Sequence, residues 1–404
     1  MSRILLVKPV LPYPPDSGTK VVSMGLIEAL VPAHDVTVLA RILSRDEEAH
    51  VRELERRCAR VVAVLPANRV SPIARVGYKL GYGVRSLFTG RSLKSLYDCP
   101  PATVRAARDL AREPFDLVIV EYWQMYPLLD VFPRARTVLL LHDIDAYVHR
   151  DRVRIEHDPL TRVRTRSTWR VEDREEKRAF ARAARVWALT RADARAVEDI
   201  AGRRAEVLPL GLPADAFVDE VTPRTSGEVL LVGAMDSTFN RDAAVHFVRD
   251  IYPALASISS VRFTVIGGAL PSDIADFAER PNVEIAGHVL DLKPRLSRAG
   301  CLVVPLRFAG GIRIRILFAM AAGLPVVCSP IAIEGMGFEP GRDVLVANTP
   351  AEYRVHIQRI LDDPGFAVRI AQAARERVWR AYGPDARGPG LRAFVARAIR
   401  EGAS

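Results

Sequence analysis

The sequence predicts an α/β protein made of two doubly wound halves. Apolar strands alternate with helical segments along the whole chain, the pattern of parallel sheets covered by helices on both faces. The 404 residues exceed one comfortable core and suit two domains of about 200 residues each. Near the middle the alternation lapses into PADAFVDEVTPRTSG, 213–227, a turn-rich stretch with no sustained period. These observations give a first domain over 1–212, a linker over 213–227, a second domain over 228–382 and a tail helix within 383–404.

In the first half, strands are predicted at Ile4–Val7, Val36–Leu39, Val61–Leu65, Leu117–Val120, Thr137–Leu141, Val186–Leu189 and Val207–Pro209. Helical patterns fall between them at Val21–Leu30, Arg45–Arg57, Thr103–Arg112 and Val163–Ala184. A fresh series follows the linker. Its strands are Val229–Val232, Arg262–Ile266, Val283–Ala286, Cys301–Val304, Val326–Ser329 and Val344–Ala347, with helices at Asp242–Leu255, Pro350–Leu361, Gly365–Trp379 and Gly390–Arg400. Sheets of this kind bind ligands in the crevice beyond the carboxyl ends of their strands.

Composition is that of a globular chain, 49% hydrophobic and 26% charged. The N-terminal MSRILLVKPV is expected to be a first strand, since its apolar part is short and no small-residue cleavage site follows. No apolar run approaches the ~18 residues of a membrane span. Four separated cysteines, Cys58, Cys99, Cys301 and Cys328, form no CxxC pair, so no zinc site or disulfide framework is indicated and a reducing cytoplasm is expected. The net charge of +10 favours anionic partners. Nucleic acid is not expected, because the basic residues are scattered and no binding motif accompanies them. The one basic-aromatic cluster, 69–94, carries six Lys/Arg with Tyr78, Tyr82 and Phe88 and no carboxylate. It suits peripheral contact with an anionic membrane face; a solvated helix face is the alternative.

Five segments follow strands and are placed to line a crevice. KPVLPYPPDSGTK (8–20) ends in Gly18 and Lys20 at the start of a helix, where backbone N–H groups are free. His142 stands at the end of a strand beside Asp143 and Asp145, a setting for proton exchange near neutral pH or for a structural loop cap. Gly233-Ala234-Met235-Asp236 follows the first strand of the second half, with Asn240 and Asp242 just after as contacts or helix caps. Gly267-Gly268 is a turn that either meets a ligand or simply reverses the chain. PLRFAGGIRIRILFAMAAGLPVV (305–327) puts Gly310, Gly311, Arg313 and Arg315 between a buried strand and a helix. Glycine, free N–H groups and fixed positive charge make that an anion site, suited to a nucleoside diphosphate.

The set resembles a known family. GGIRIRILFAMAAGLPVV is similar to the GGxRxKxLEAMAxGxPVV signature of family-4-like (group 1) glycosyltransferases, and CSPIAIEGM resembles their following STxxGxEGL. VGAMDSTFNRDAAVHFVRDIYPAL resembles the VGSMDWxPNxDAVxxFxxxIxPxL that opens their C-terminal domain. KPVLPYPPDSGTK and LLHDIDAY match their N-terminal loop and HD/HN-type segment. The likeness runs in order along nearly the whole chain. It implies a GT-B fold, two Rossmann-like domains facing across a cleft. It also implies retaining transfer of a sugar from a nucleoside diphosphate donor to a hydroxyl, without a metal or other cofactor. By resemblance Gly233, Asp236, Gly310, Gly311, Arg313 and Arg315 bind the donor, with Arg315 at the lysine position; Glu334 lies near the sugar and His142 near the reacting groups.

Phe318 departs from the family, which has a ribose-binding glutamate there. Losing one charge-assisted hydrogen bond of about 1.5–3 kcal/mol lowers donor affinity on the order of tenfold to a hundredfold. The expected partners are a nucleotide sugar and a glycan, lipid-linked or small-molecule acceptor. Phe318 leaves open a catalytically silent nucleotide-binding relative in a glycan-assembly complex, and a nucleotide-sugar epimerase is a lesser alternative.

Overall fold

The structure, a computed structural model, describes residues 1–65, 85, 86, 88–224, 226–235, 237–256, 258, 260–268, 270–289 and 291–403. The chain divides into two compact units: Met1–Leu210 with Gly310–Ile312 and Arg387–Ser404, and Gly211–Ala309 with Arg313–Ala386.

The first unit is built on β1 (Ser2–Lys8), β2 (His34–Arg41), β3 (Arg60–Val64), β4 (Leu117–Glu121), β5 (Thr137–Leu140), β6 (Arg185–Ala188) and β7 (Glu206–Val207). All pair in parallel, in the order β3-β2-β1-β4-β5-β6-β7. Ile4 of β1 lies between Val36 of β2 and Leu117 of β4. The inner strands are buried on both faces, so they read as continuous apolar runs; Leu5, Val7, Val118, Val120 and Leu139 share one core. Strand order reverses between β1 and β4, and both strands end in a buried charge, Lys8 and Glu121. Helix α1 (Gly18–Leu30) follows β1. After β5 come α2 (Asp145–Ile155) and α3 (Pro159–Arg182). The sequence pattern predicted α3 but not α2, whose polar, arginine-rich surface carries little helical periodicity.

The second unit contains β8 (Glu228–Val232), β9 (Arg262–Ile266), β10 (Val283–Gly287), β11 (Cys301–Val304), β12 (Val326–Cys328) and β13 (Leu345–Val346), ordered β10-β9-β8-β11-β12-β13 and again all parallel. Its reversal lies between β8 and β11. Helix α4 (Thr238–His246) starts four residues before the predicted position. It runs into a wider turn at Phe247–Ile251, where Tyr252 donates to the Phe247 carbonyl, just before Pro253, which has no N–H to continue the ladder. Helix α5 (Ile314–Ala321) follows β11.

The segment 213–227, read as a linker, groups with the second unit. Its Arg224 guanidinium donates to the carbonyls of Leu296, Ser297, Ala299, Ala322 and Gly323, gathering C-terminal helix carbonyls that have no partner in their own helices. The tail helix α6 (Leu391–Ala403) groups with the first unit: Arg185 Nη1 donates to the Ala398 carbonyl at 2.6 Å and Trp187 meets Phe394 edge-on.

Most of the basic-aromatic stretch 69–94, including Tyr78 and Tyr82, lies outside the described residues. At its end Arg91 and Lys94 are engaged: Arg91 donates to Ser95, and Lys94 Nζ lies 2.5 Å from Asp145 Oδ2. Among the described residues no helix is long and apolar enough to cross a membrane.

Candidate functional site

In the second unit, Gly233 follows β8 and Gly267 follows β9, and the two turns interlock. Gly233 N donates to the Ile266 carbonyl and Met235 N to that of Gly267, at 2.9 and 3.1 Å. Gly267 has φ +131°, and a Cβ there would lie 1.8 Å from the Gly233 carbonyl oxygen; only glycine fits. A Cβ on Gly233 would lie 2.5 Å from Arg315 Nη1 and 2.8 Å from Asn240 Cγ. The bare backbone therefore makes room for a guanidinium. Arg315, in the first turn of α5, reaches across to β8 and donates from Nη1 to the Val232 carbonyl at 2.5 Å. Its Nε is buried without a partner, as is Asn240 Oδ1. Both residues line a small cavity with Gly233, Met235, Pro305 and Leu306. Burial, with the neighbouring Arg313 charge, pulls Arg315 down to about 10, so it stays cationic at neutral pH.

Arg313, the N-cap of α5, is spent on structure: Nε donates to Ala332 O at 2.7 Å and Nη2 to Glu334 O at 2.6 Å. It ties down the turn that carries Glu334, whose side chain is exposed. Phe318, one turn beyond Arg315, is half-buried. Arg307 grips Asp242 with two nitrogens and holds the chain after β11 against α4.

In the first unit, Lys8, Glu121 and His142 stand at the carboxyl ends of β1, β4 and β5. Glu121 Oε2 accepts from Lys8 Nζ at 2.9 Å, and it lies 2.6 Å from Ser23 Oγ on α1 and 2.7 Å from His142 Nε2. Lys8 Nζ is also 2.5 Å from Ser23 Oγ. Burial raises the cost of the Glu121 charge, but the Lys8 ammonium and the hydrogen bonds from His142 and Ser23 outweigh it and hold the carboxyl at about 2. Burial also lowers His142, and the Lys8 charge adds to this against the Glu121 hydrogen bond. The Tyr122 ring stacks on His142 with centroids 4.4 Å apart and planes 7° from parallel. Tyr122 itself has φ 72°, a costly backbone for a non-glycine residue and a common mark of functional sites.

A second carboxylate group adjoins His142. Asp145 Oδ2 accepts from Trp123 Nε1 at 2.8 Å, Gln124 Nε2 at 2.9 Å and Lys94. Glu176 accepts from the backbone N–H groups of Asp145 and Ala146, capping α2. Burial, together with the Asp145 charge, pushes Asp143 up to about 7. Gly310 and Gly311, within the tripeptide that groups with this unit, lie on the same turn. A Cβ on Gly310 would come within 2.7 Å of Val148 and 2.9 Å of Asp143, and one on Gly311 (φ +65°) within 1.9 Å of the His142 carbonyl.

Residues 226–363 match the sequence model of the family described as glycosyl transferases group 1. That stretch is similar to the group 1 glycosyl transferases. No curated protein matches the chain in sequence. Solved structures share its fold. Sucrose-phosphate synthase from Thermosynechococcus elongatus is 17% identical with TM-score 0.74, covering 100% of both chains. HepE of Anabaena, solved with UDP-glucose, is 16% identical with TM-score 0.68 over 98% of this chain and 100% of its own. TarM of S. aureus, solved as a point mutant with fondaparinux, α-GlcNAc-glycerol and UDP, is 10% identical with TM-score 0.69 over 100% of both chains. The fold is GT-B.

Within the second unit, then, Gly233 and Arg315 meet at the strand reversal, Arg313 supports the Glu334 turn, and Phe318 lies on the helix that carries Arg315. Asp236 lies outside the described residues. In the first unit His142 meets Gly310 and Gly311, whereas Gly18 is exposed at the start of α1 and Lys20 pairs with Asp16 at 3.0 Å. Glu121, Ser23 and Tyr122 were not among the expected site residues, whereas Asn240 was, and its oxygen is free. Glu121 left a signal: LVIVE places a carboxylate directly after a fully apolar strand, where burial demands a partner.

Proposed function

We propose that the protein is a glycosyltransferase that moves a sugar from a nucleoside diphosphate sugar to a hydroxyl acceptor, with retention of anomeric configuration. The observation that carries this reading is Arg315: a half-buried cation whose Nε is buried without a partner, at a helix start, in space that Gly233 leaves free and beside a small cavity. The Ile314 and Arg315 N–H groups precede the first backbone bond of α5, Ile316 N to the Arg313 carbonyl, so they and the Arg315 guanidinium together suit a diphosphate. As the glycosidic bond breaks, negative charge grows on the leaving diphosphate, and a fixed cation with little water around it stabilises that charge. In this reading the guanidinium and backbone do that work, and no metal is called for. Gly268, where a Cβ would meet nothing within 4 Å, lets the donor approach the main chain, and His142 meets the sugar or the attacking hydroxyl. The UDP-glucose bound by HepE and the UDP and α-GlcNAc-glycerol bound by TarM support a nucleotide-sugar donor and a glycan-type acceptor. We place the protein in the cytoplasm; its four cysteines are buried free thiols.

Phe318 supports a second reading, a nucleotide-binding relative without turnover, because its ring accepts no hydrogen bond. A thermal-shift screen of UDP-, GDP-, ADP- and TDP-glucose, with release of nucleoside diphosphate followed in parallel, separates the two. Stabilisation with release supports the transferase. Stabilisation without release supports the silent protein, and no stabilisation by any of the four removes both. Phe318→Glu is expected to tighten nucleotide binding by about tenfold if a ribose hydroxyl faces that position.

A further inference from the structure

His142 presents a chemical choice that its neighbours have already made. Its Nε2 lies 2.7 Å from Glu121 Oε2, an oxygen also met by Lys8 Nζ and Ser23 Oγ. A carboxylate bound by an ammonium has no proton to give, so the hydrogen atom between Nε2 and Oε2 belongs to the histidine. Were Nδ1 protonated as well, the fully buried trio of Lys8, Glu121 and His142 would hold two positive charges against one negative. With His142 neutral the trio balances, as burial requires. Nδ1 is then a lone pair. It is buried and has no partner in the protein. The stacked Tyr122 ring holds the imidazole plane, so Nδ1 cannot turn to find one.

We propose that Glu121 is a positioning residue: with Lys8 and Ser23 it fixes His142 with its proton on Nε2, so that Nδ1 meets a substrate hydroxyl as a hydrogen-bond acceptor. This deepens the transferase reading and rests on it for the claim that His142 faces substrate. It also defines the ligand. The group opposite Nδ1 must carry a proton, as a sugar hydroxyl does; a carboxylate or phosphate oxygen would set lone pair against lone pair. A buried acceptor left unpaired in this way discriminates strongly against analogues lacking the donor.

The test reads the tautomer directly. Protein carrying 15N-labelled histidine gives long-range 1H–15N correlations at neutral pH, and the His142 signals are those lost in His142→Gln. The expected wild-type pattern is Nε2 protonated and Nδ1 bare. Glu121→Gln, whose amide can donate or accept, is expected to give a mixture of tautomers. With whichever of the four glucose nucleotides is consumed in the screen, the same variant should lower kcat by about tenfold to a hundredfold and leave donor KM within about threefold. If Glu121→Gln folds poorly, Lys8→Met/Glu121→Gln, which removes both buried charges, takes its place. The proposal is overturned if wild-type His142 is protonated on Nδ1, alone or with Nε2, or if Glu121→Gln alters neither tautomer nor kcat. If no nucleotide sugar is consumed, the spectra still decide the role of Glu121, and it is the transferase reading that fails.

Discussion

The two sheets reverse strand order in the same way, yet their reversal points are finished oppositely. Between β1 and β4, Lys8, Glu121, Ser23 and His142 close on one another through short hydrogen bonds. Between β8 and β11, Gly233 makes room for a guanidinium, and Arg315 keeps one nitrogen unpaired beside a small cavity. A shared topology thus supplies two places for a site, and local chemistry decides what each becomes. Paired charges make a rigid surface that orients one imidazole. A cavity with a lone cation makes a receptor for an anion.

The strongest way to break this contrast is to remove a partner from the closed cluster. Glu121→Ala leaves Lys8 buried and uncompensated, at a cost of about 3–5 kcal/mol, read as a lowered urea midpoint. A midpoint equal to wild type would mean that the cluster is not charge-balanced as described. Gly267→Ala tests the open point, because its Cβ would meet the Gly233 carbonyl at 1.8 Å in a left-handed backbone. It should cost about 2–4 kcal/mol by chemical denaturation. Arg315→Ala should be smaller in stability and larger in binding. Losing a charge-assisted contact of about 1.5–3 kcal/mol weakens nucleotide affinity on the order of tenfold to a hundredfold, measured by titration calorimetry. Unchanged affinity would remove the diphosphate from this cavity.

The smallest effect sharpens the comparison by pH. Asp143 rises from the ordinary 3.8 up to about 7, first through burial and then through the Asp145 charge. The folded chain therefore holds this proton more tightly than the unfolded chain. The resulting stabilisation is full below the unfolded value and is lost as pH rises through the folded one. Asp143→Asn should flatten that decline in Tm by about 2–4 °C between acid and neutral pH. A parallel pH–Tm curve would show that Asp143 holds its proton no more tightly in the folded chain than in the unfolded one. Glu121, held at about 2, acts in the opposite sense: its contribution is full above the ordinary 4.5 and fails as pH falls toward 2.

Much of this was legible in the residues. Buried parallel strands announce themselves as apolar runs, and glycines followed by arginine announce an anion site. What hid was long-range partnership. Nothing local shows that Arg313 will be used on the carbonyls of Ala332 and Glu334 while Arg315 keeps a nitrogen unpaired, since the two stand one residue apart in the same motif. Glu121 and Lys8 are 113 residues apart, and only the parallel pairing of β1 with β4 brings them together. Helix α2 was missed because its buried face is held by capping and hydrogen bonds, through Glu176 and Asp145, more than by apolar periodicity.

The placement of α6 has a consequence for the order in which the molecule assembles. Arg185 and Trp187 in β6 wait for Ala398 and Phe394, and Arg387 pairs back to Glu28. The second unit is thus an insertion, in sequence terms, between the body of the first and its closing helix. During synthesis the second unit emerges whole while its elder neighbour still exposes an uncovered flank. The half made first is the half finished last.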